Sequence, residues 1–247
     1  MALRELHPGA IYLHGGRSYI VVDLRARPWR AVVRRVPADL DLVTQALYTS
    51  MPREGARLGV REVRGVEVEY LELSIRDSVY GYVVRRFGGG ETLDERLLDR
   101  EYSYDFRTKG ILISLAPEPG WSEMENAEAF HAAEHALITA AQMVLGASQT
   151  DLGGVSFPSG HIYIYDSYPG GSGVARMAME RMEEVLRRAY ELVSGCRCED
   201  GCPRCIYSPY CGNNNKILSR RRAEKVLGAW LVGEMGRPVE RSGRPVV

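Results

Sequence analysis

All five cysteines of this 247-residue chain lie in one stretch, CRCEDGCPRCIYSPYC, which runs from Cys196 to Cys211. A chain of this length can bury a hydrophobic core without cross-links, so the cysteines are not needed to stabilise a small fold. The amino terminus shows no secretory signal pattern and no window approaches a membrane-spanning run, so we expect a cytoplasmic protein without a membrane partner. In that compartment thiols stay reduced, and clustered cysteines more often bind a metal than form disulfides.

The cysteine spacing, C-x-C-x3-C-x2-C-x5-C, is typical of short turns whose sulfurs converge on one ion. Four thiolates in a tetrahedral array select Zn²⁺, with an iron–sulfur cluster as the alternative. Two sulfurs separated by one residue rarely reach the same ion without strain, so one cysteine should be spare. The predicted ligands are Cys198, Cys202, Cys205 and Cys211, with Cys196 as the spare or as the alternative to Cys198. A redox role for Cys202 and Cys205 is disfavoured because the pair follows a predicted helix and does not open one.

The hydrophobic pattern changes near the PEPG segment at 117–120. Before it, short β-branched and aromatic runs are broken by turns, which predicts separate strands, among them 66–75 and 79–87. After it the period becomes helical. Helices are predicted at 126–145, with Gly146 as a left-handed stop, at 174–193, and at 219–235, with Ser219 as the N-cap. A buried strand is predicted at 162–166. We therefore expect an α+β fold with a β-rich, antiparallel, barrel-like domain at 1–118, a mainly helical domain with the zinc loop at 119–235, and a flexible tail at 236–247.

A local excess of positive charge surrounds the cysteines, although the formal net charge of the chain is zero. Residues 196–225 carry seven cationic and three acidic side chains, with two tyrosines interleaved. Cations that hold phosphates beside aromatic faces that stack bases form a platform for single-stranded nucleic acid. The candidates are Arg204, Tyr207, Tyr210, Lys216, Arg220, Arg221 and Arg222. The alternative is a solvated helix face beside packed tyrosines.

The loop YPGGSG, at 168–173, lies between a predicted strand and a predicted helix. Glycines there let backbone N–H groups face an anion at a helix N-terminus, so Gly170, Gly171 and Gly173 are candidates for binding a nucleic-acid phosphate. A tight turn with no bound anion is the alternative. No lysine of the chain is followed by Ser or Thr, which excludes a P-loop.

The sequence HAAEH, at 131–135, matches the H-x-x-E-H signature of inverted zincins. It places His131 and His135 on one helical face, with Glu134 beside them for general-base chemistry. No third ligand is evident, and a downstream helix would have to supply one from Glu180, Glu183, Glu184 or Glu191. A pair of hydrogen-bonded histidines on a packed helix is the structural alternative to a metallohydrolase.

Four segments occur in a specific order: HAAEHALI (131–138), DLGGVS (151–156), YIYDSYPGGSG (163–173) and the run C-x-C-E-D-G-C-P-x-C-I-x-S-P-x-C-G-N-x-N that ends at Asn215. Together they resemble the C-terminal zinc-binding domain of the mitomycin-repair (MrfA/YprA) type of DEAD/DEAH-box DNA helicases, which also occurs in relatives of the RecQ-four-like helicases. The opening PGAIYLHGGRSYIV is similar to the hairpin that begins the preceding segment in those proteins.

The resemblance implies a structural zinc held by the cysteines, with His131 and His135 as framework residues, within an ATP-driven 3′-to-5′ DNA translocase implicated in repair. Leu218-Ser219-Arg220 stands where the family usually reads L-D-K, which retains a cap and a positive charge. The chain has no Walker lysine and no D-E-x-H box, so we expect no catalytic activity from it alone. The predicted function is a free-standing or separated accessory module that binds DNA or docks on a separate helicase ATPase. The alternatives are a metallohydrolase and a zinc-stabilised interaction protein without nucleic-acid binding.

Overall fold

The computed structural model of the protein describes residues 2–26, 28–37, 39–88 and 91–235, so the predicted tail at 236–247 lies outside the described residues. The amino-terminal elements are α1 (Ala2–Leu6), β1 (Ile11–His14), β2 (Arg17–Ala26) and β3 (Trp29–Arg35). Three long strands follow, β4 (Leu42–Val63), β5 (Val66–Arg86) and β6 (Thr92–Ser114). The remaining elements are α2 (Glu123–Leu145), β7 (Leu152–Ser156), β8 (His161–Asp166), α3 (Val174–Glu180), α4 (Met182–Ser194) and α5 (Arg220–Val232).

The strands form two antiparallel sheets, which confirms the predicted α+β class. One sheet has the order β1-β2-β3 and the other the order β4-β5-β6-β8-β7. Neither sheet closes into a barrel within the described part of the chain. Tight hairpins join consecutive strands: Gly15 and Gly16 have φ of 55° and 70°, and Arg64 and Gly65 have φ of 51° and 78°. Positive φ at both central residues is the geometry that two-residue hairpins require.

β5 joins two segments that the sequence pattern predicts as separate strands. The polar residues between them resemble a turn, but Asp77 is buried within the strand. Its carboxylate accepts hydrogen bonds from Arg4 Nη2 and from Ser50 Oγ, both at 2.6 Å. A buried carboxylate with charged and hydroxyl donors does not force the chain to turn towards solvent, so the strand continues.

The chain divides into two compact units that are discontinuous in sequence. The first comprises residues 1–51, 76–105 and 212–214, and the second comprises 52–75, 106–211 and 215–247. β4, β5 and β6 each contribute residues to both units. The predicted division into contiguous domains at 1–118 and 119–235 stays a prediction.

The core of the second unit is built around α2. This helix packs against α4, α5 and β7, and its side chains Phe130 and Leu137 are fully buried. Trp230 of α5 is also fully buried, and its indole Nε1 donates to the Val63 carbonyl at 2.8 Å. α2 ends at Gly146 in the left-handed conformation that the sequence predicts.

The predicted helix at 174–193 consists of two helices, α3 and α4. They meet at Arg181, whose φ of −108° and ψ of 25° depart from helical values. The hydrogen-bond ladder nevertheless continues, because the Arg181 N–H donates to Met177 and its carbonyl accepts from Val185. No helix in the described ranges is long and apolar enough to cross a membrane.

Ser122 caps α2 through a reciprocal pair of hydrogen bonds with Glu125. The Ser122 hydroxyl accepts from the Glu125 N–H at 3.2 Å, and the Glu125 carboxylate accepts from the Ser122 N–H at 2.9 Å. We expect Ser122→Ala to lower the free energy of unfolding by about 1 kcal/mol, because it leaves a helix N-terminal donor without its acceptor. Urea denaturation measures this change, and Ser172→Ala at an exposed loop position is the control. Equal stability of the two variants would contradict the role of the cap.

Candidate metal centre and nucleic-acid interface

Four sulfur atoms converge in the loop between α4 and α5. Cys196 Sγ lies 3.5 Å from Cys198 Sγ and 3.6 Å from Cys202 Sγ. Cys205 Sγ lies 3.5 Å from Cys198 Sγ and 3.7 Å from Cys202 Sγ. Zn–S bonds of about 2.3 Å at tetrahedral angles separate two sulfurs by about 3.8 Å. The four thiols, called the four-thiol cluster below, therefore have the chemistry and the spacing of a structural zinc site.

Local turns bring these sulfurs together. The Cys202 carbonyl accepts from the N–H groups of Cys205 at 3.0 Å and of Ile206 at 3.2 Å, which closes the Cys202–Cys205 turn. Gly201 precedes this turn with φ of 148°. A Cβ at Gly201 would lie 2.7 Å from Cε1 of Tyr207, so only glycine fits there.

The structure places Cys196, and not Cys211, with Cys198, Cys202 and Cys205. The sequence pattern predicts Cys196 as the spare, because a single residue separates it from Cys198. Residues 196–198 belong to neither a helix nor a strand, and the Cys198 N–H donates to the Cys196 sulfur. This turn directs both sulfurs to the same side. The structure brings together three of the predicted ligands, Cys198, Cys202 and Cys205, and places the fourth, Cys211, outside this group.

The four thiols differ in how readily they ionise. The hydrogen bond from the Cys198 N–H, with further bonds from neighbouring thiols, lowers the pKa of Cys196 to about 6. Burial raises the pKa of Cys198 and of Cys205. Metal binding needs all four thiolates, so a bound cation would have to offset the cost of ionising the buried members.

Arg220 braces the cysteine loop and does not face solvent. Its side chain is only 8% exposed, and Nε donates to the Cys198 carbonyl at 2.6 Å. Nη1 donates to the Val193 carbonyl at 2.7 Å and pairs with Glu224 at 2.5 Å. The sequence predicts Arg220 as a phosphate-binding candidate, but its donors are committed to the end of α4, to the backbone carbonyl of Cys198 and to Glu224.

The other predicted cations differ in exposure. Arg222 pairs with Glu125 at 2.5 Å and with Glu128 at 2.8 Å, which ties α5 to α2. The Arg221 side chain is 66% exposed and pairs with the exposed Glu199 at 3.4 Å, a contact that contributes little in water. Arg204, Lys216, Tyr207 and Tyr210 are exposed, the two tyrosines by 41% and 47%.

In the glycine loop at 168–173, the site expected for a phosphate lies beside a carboxylate of the protein, that of Asp166. Gly170, Gly171 and Gly173 adopt φ of 87°, 85° and 89°, as a tight glycine turn requires. The fully buried Asp166 carboxylate accepts from the N–H groups of Gly173 and Ala175, each at 2.8 Å. These donors at the start of α3 are therefore used within the protein, which favours the tight-turn alternative over a phosphate site.

The HAAEH residues of α2 face two different neighbours. His135 Nδ1 lies 2.6 Å from the Ile206 carbonyl, inside the cysteine-rich segment, and His131 Nδ1 lies 3.0 Å from the Ile217 carbonyl, which follows that segment. The Glu134 carboxyl packs against Gly154 and bonds Ser156 of β7, and burial raises its pKa to about 8. A buried carboxyl whose pKa is raised and which is directed at β7 does not suit the general-base role of a metallohydrolase.

A second group of possible metal ligands combines the two histidines with a cysteine, which the sequence does not predict. His131, His135 and Cys211 place one ligand atom each within 4.8 Å of one another. The available signal was the spacing of the two histidines by one helical turn, which puts them on the same face. Nothing in the sequence indicated that Cys211, 76 residues beyond His135, would meet them.

The fold and the four-thiol cluster define an α+β protein with a cysteine-rich loop that can hold a metal ion, and comparisons with known proteins agree. Residues 133–206 match the model of the MrfA Zn-binding domain, a segment that contains all four clustered cysteines and ends before Cys211. The protein MJ1572.1 of Methanocaldococcus jannaschii is 34% identical over 106 residues, which cover 39% of this chain and 95% of that protein.

Two longer proteins that the chain resembles are helicases. The ATP-dependent helicase HRQ1 of Saccharomyces cerevisiae is 24% identical over 246 residues, covering 90% of this chain and 22% of HRQ1. The crystal structure of the DUF1998 helicase MrfA bound to DNA is similar in fold, with a TM-score of 0.57 at 22% identity over 92% of this chain and 30% of MrfA.

The chain belongs to the family of proteins that carry the MrfA Zn-binding domain, a helicase-associated zinc-binding domain. The resemblance derived from its motifs is thereby confirmed. The chain spans less than a third of the helicases it matches. The activities of those whole proteins are therefore extended to this chain only as proposals.

Proposed function

We propose that the chain is a zinc-stabilised accessory module of a DUF1998-type DNA helicase, which binds nucleic acid and docks on a separately encoded ATPase motor in DNA repair. The observation that carries this proposal is the four-thiol cluster, which lies inside the segment that matches the MrfA Zn-binding domain. Its sulfur spacing of 3.5–3.7 Å suits a tetrahedral ion. In this role the ion holds the end of α4 and the start of α5 at fixed positions.

Metal analysis of the purified chain tests the identity of the ion. We expect zinc and no iron in the wild-type protein, and loss of one zinc per chain in Cys198→Ser. An iron–sulfur cluster would instead bring iron, inorganic sulfide and visible absorption. A protein that folds without zinc or iron would overturn the proposal.

The nucleic-acid surface is proposed to include Arg204, Arg221, Lys216, Tyr207 and Tyr210. These side chains are exposed and lie in or directly after the cysteine-rich segment. Arginines at this surface would contact phosphates, and each tyrosine face would stack on a base. Arg220 and Arg222 are left out because their guanidinium groups are engaged with carbonyls and carboxylates of the chain.

We expect Arg204→Ala/Arg221→Ala to weaken binding of a fluorescent single-stranded DNA and to reduce the slope of log affinity against log salt by about 1.4. Each phosphate contact to a single strand contributes about 0.7 to that slope. Fluorescence anisotropy at several salt concentrations measures both quantities. Arg176→Ala/Arg187→Ala, which removes two exposed arginines of α3 and α4, is the charge-matched control.

Equal losses in the two double variants would mean that only the overall charge matters. Wild-type protein that binds neither DNA nor RNA would favour the interaction protein without nucleic-acid contact. The docking part is tested separately, by isolating the tagged chain from its native source and identifying any ATPase with helicase motifs. Recovery of such an ATPase with wild type but not with Cys198→Ser supports docking, and its absence from both removes it.

A further inference from the structure

His131, His135 and Cys211 form a second group of metal-type donors, separate from the four-thiol cluster. We propose that these three side chains bind a second divalent ion, zinc foremost, through two imidazole nitrogens and one thiolate. Two imidazoles with a thiolate form a borderline-soft donor set that suits Zn²⁺ and disfavours Mg²⁺ and Ca²⁺. The inference does not depend on a helicase role, because it concerns only the chemistry of this site.

The distances fit one ion. His131 Nε2 lies 3.6 Å from Cys211 Sγ. Zn–N bonds of about 2.05 Å and Zn–S bonds of about 2.3 Å at tetrahedral angles place nitrogen and sulfur about 3.6 Å apart. The two imidazole centroids lie 4.5 Å apart with an interplanar angle of 74°, and one ligand atom from each of the three residues lies within 4.8 Å of the others.

Hydrogen bonds orient both rings for metal binding. A carbonyl oxygen can only accept, so the contacts of His131 with Ile217 and of His135 with Ile206 assign the proton to Nδ1 in each ring. Each Nε2 then carries the free lone pair. Metal-ligating histidines usually donate their other N–H to such an acceptor, which fixes the tautomer and the ring orientation.

The backbone that supplies one of these acceptors is itself unusual. Ile217 has φ of 58°, a left-handed conformation that is rare for a β-branched residue. Strained backbone of this kind persists only where the surrounding structure holds it, and it concentrates at functional sites. Here it places the carbonyl that orients His131.

A simple thiol–imidazole hydrogen bond explains less of the geometry. The single proton of the Cys211 thiol can serve one imidazole lone pair at a time, whereas a cation engages both rings and the sulfur together. The Glu134 carboxyl is not part of the group, since it packs against β7. Three protein donors leave one tetrahedral position for water or another ligand, and His131 is only partly buried.

A second ion would secure the other end of the cysteine-rich segment. The four-thiol cluster holds residues 196–205, whereas Cys211 lies beyond it and close to the exposed Tyr210. Joining Cys211 to two histidines of α2 would attach this end of the segment to a helix that lies in the core. The spare cysteine of the sequence pattern would then be the ligand of a different ion.

The test titrates metal-free protein with Zn²⁺ against a chromophoric chelator, in a phosphine reductant that binds zinc weakly. We expect two ions per wild-type chain, one in Cys211→Ala, one in His135→Gln and one in Cys198→Ser. Far-UV circular dichroism checks that each variant is folded. Two ions in both wild type and Cys211→Ala would place the second ion elsewhere and overturn the inference.

One ion in wild type, lost in Cys198→Ser, would remove this inference while leaving the proposed function intact. If the variants do not fold, Co²⁺ titration of the wild type decides. A second equivalent with tetrahedral visible bands and weaker thiolate charge transfer than the first supports a His₂Cys site. A second equivalent with only the weak absorption of six-coordinate Co²⁺ overturns it.

Discussion

Replacing Cys205 by serine should release the ion of the four-thiol cluster and leave residues 195–205 without measurable protection from hydrogen exchange, while α2, α4 and α5 stay folded. Structural zinc contributes about 10 kcal/mol or more to small domains, which is enough to order a loop that contains neither helix nor strand. The helices pack through fully buried side chains such as Phe130, Leu137 and Trp230, which do not touch the ion. Hydrogen exchange read by mass spectrometry locates the change.

Cys211→Ala is the matched comparison, because it removes a cysteine outside the four-thiol cluster. It should leave protection of residues 196–205 unchanged. Chelation of the wild-type protein should reproduce the effect of Cys205→Ser on those residues. A far-UV spectrum that collapses on chelation would show instead that the helical core itself depends on the metal.

Arg220→Ala should lower the free energy of unfolding by about 3 kcal/mol. The change leaves the carbonyls of Cys198 and Val193 without their charged donor, and a buried acceptor that loses its partner costs about 1–3 kcal/mol. It also removes the ion pair with Glu224. Urea denaturation in saturating zinc measures the difference while keeping the metal contribution constant.

Arg221→Ala is the matched control, because the Arg221 side chain is exposed and pairs with the exposed carboxylate of Glu199. Its free energy of unfolding should stay within about 0.5 kcal/mol of wild type. Arg220→Lys should recover part of the loss, because an ammonium keeps the charge but not the planar set of donors. If Arg220→Ala and Arg221→Ala were equally stable, the bracing role of Arg220 would be wrong.

Three consecutive arginines at the start of α5 show why candidate nucleic-acid residues could not be ranked from the sequence. Arg220, Arg221 and Arg222 have the same side chain and differ only in position. In α5 they point in directions about 100° apart, so one faces the cysteine loop, one faces solvent and one faces α2. The charge pattern identifies a basic segment, whereas helix packing decides which guanidinium group is exposed to solvent.

Tertiary contacts also decide the roles of the glycine loop and of the cysteines. Asp166 is the last residue of β8, and the turn that follows brings its carboxylate to the N–H groups of Gly173 and Ala175 at the start of α3. The expected strain between Cys196 and Cys198 depends on that pair alone. The sequence does not indicate the turn that directs both sulfurs to one side, or the two histidines of α2 that lie beside Cys211.

Local rules in the sequence were enough to predict the α+β class, the helix end at Gly146, the cap at Ser219 and a cluster of cysteines with metal-binding spacing between the last two helices. These features depend on residues within one or two turns of each other, where spacing and backbone preference decide the outcome. Tertiary structure alone decided which four of five sulfurs meet, that Arg220 is buried, and that Cys211 lies beside two histidines of α2. Such contacts join residues many positions apart, and their formation depends on how the helices pack in three dimensions.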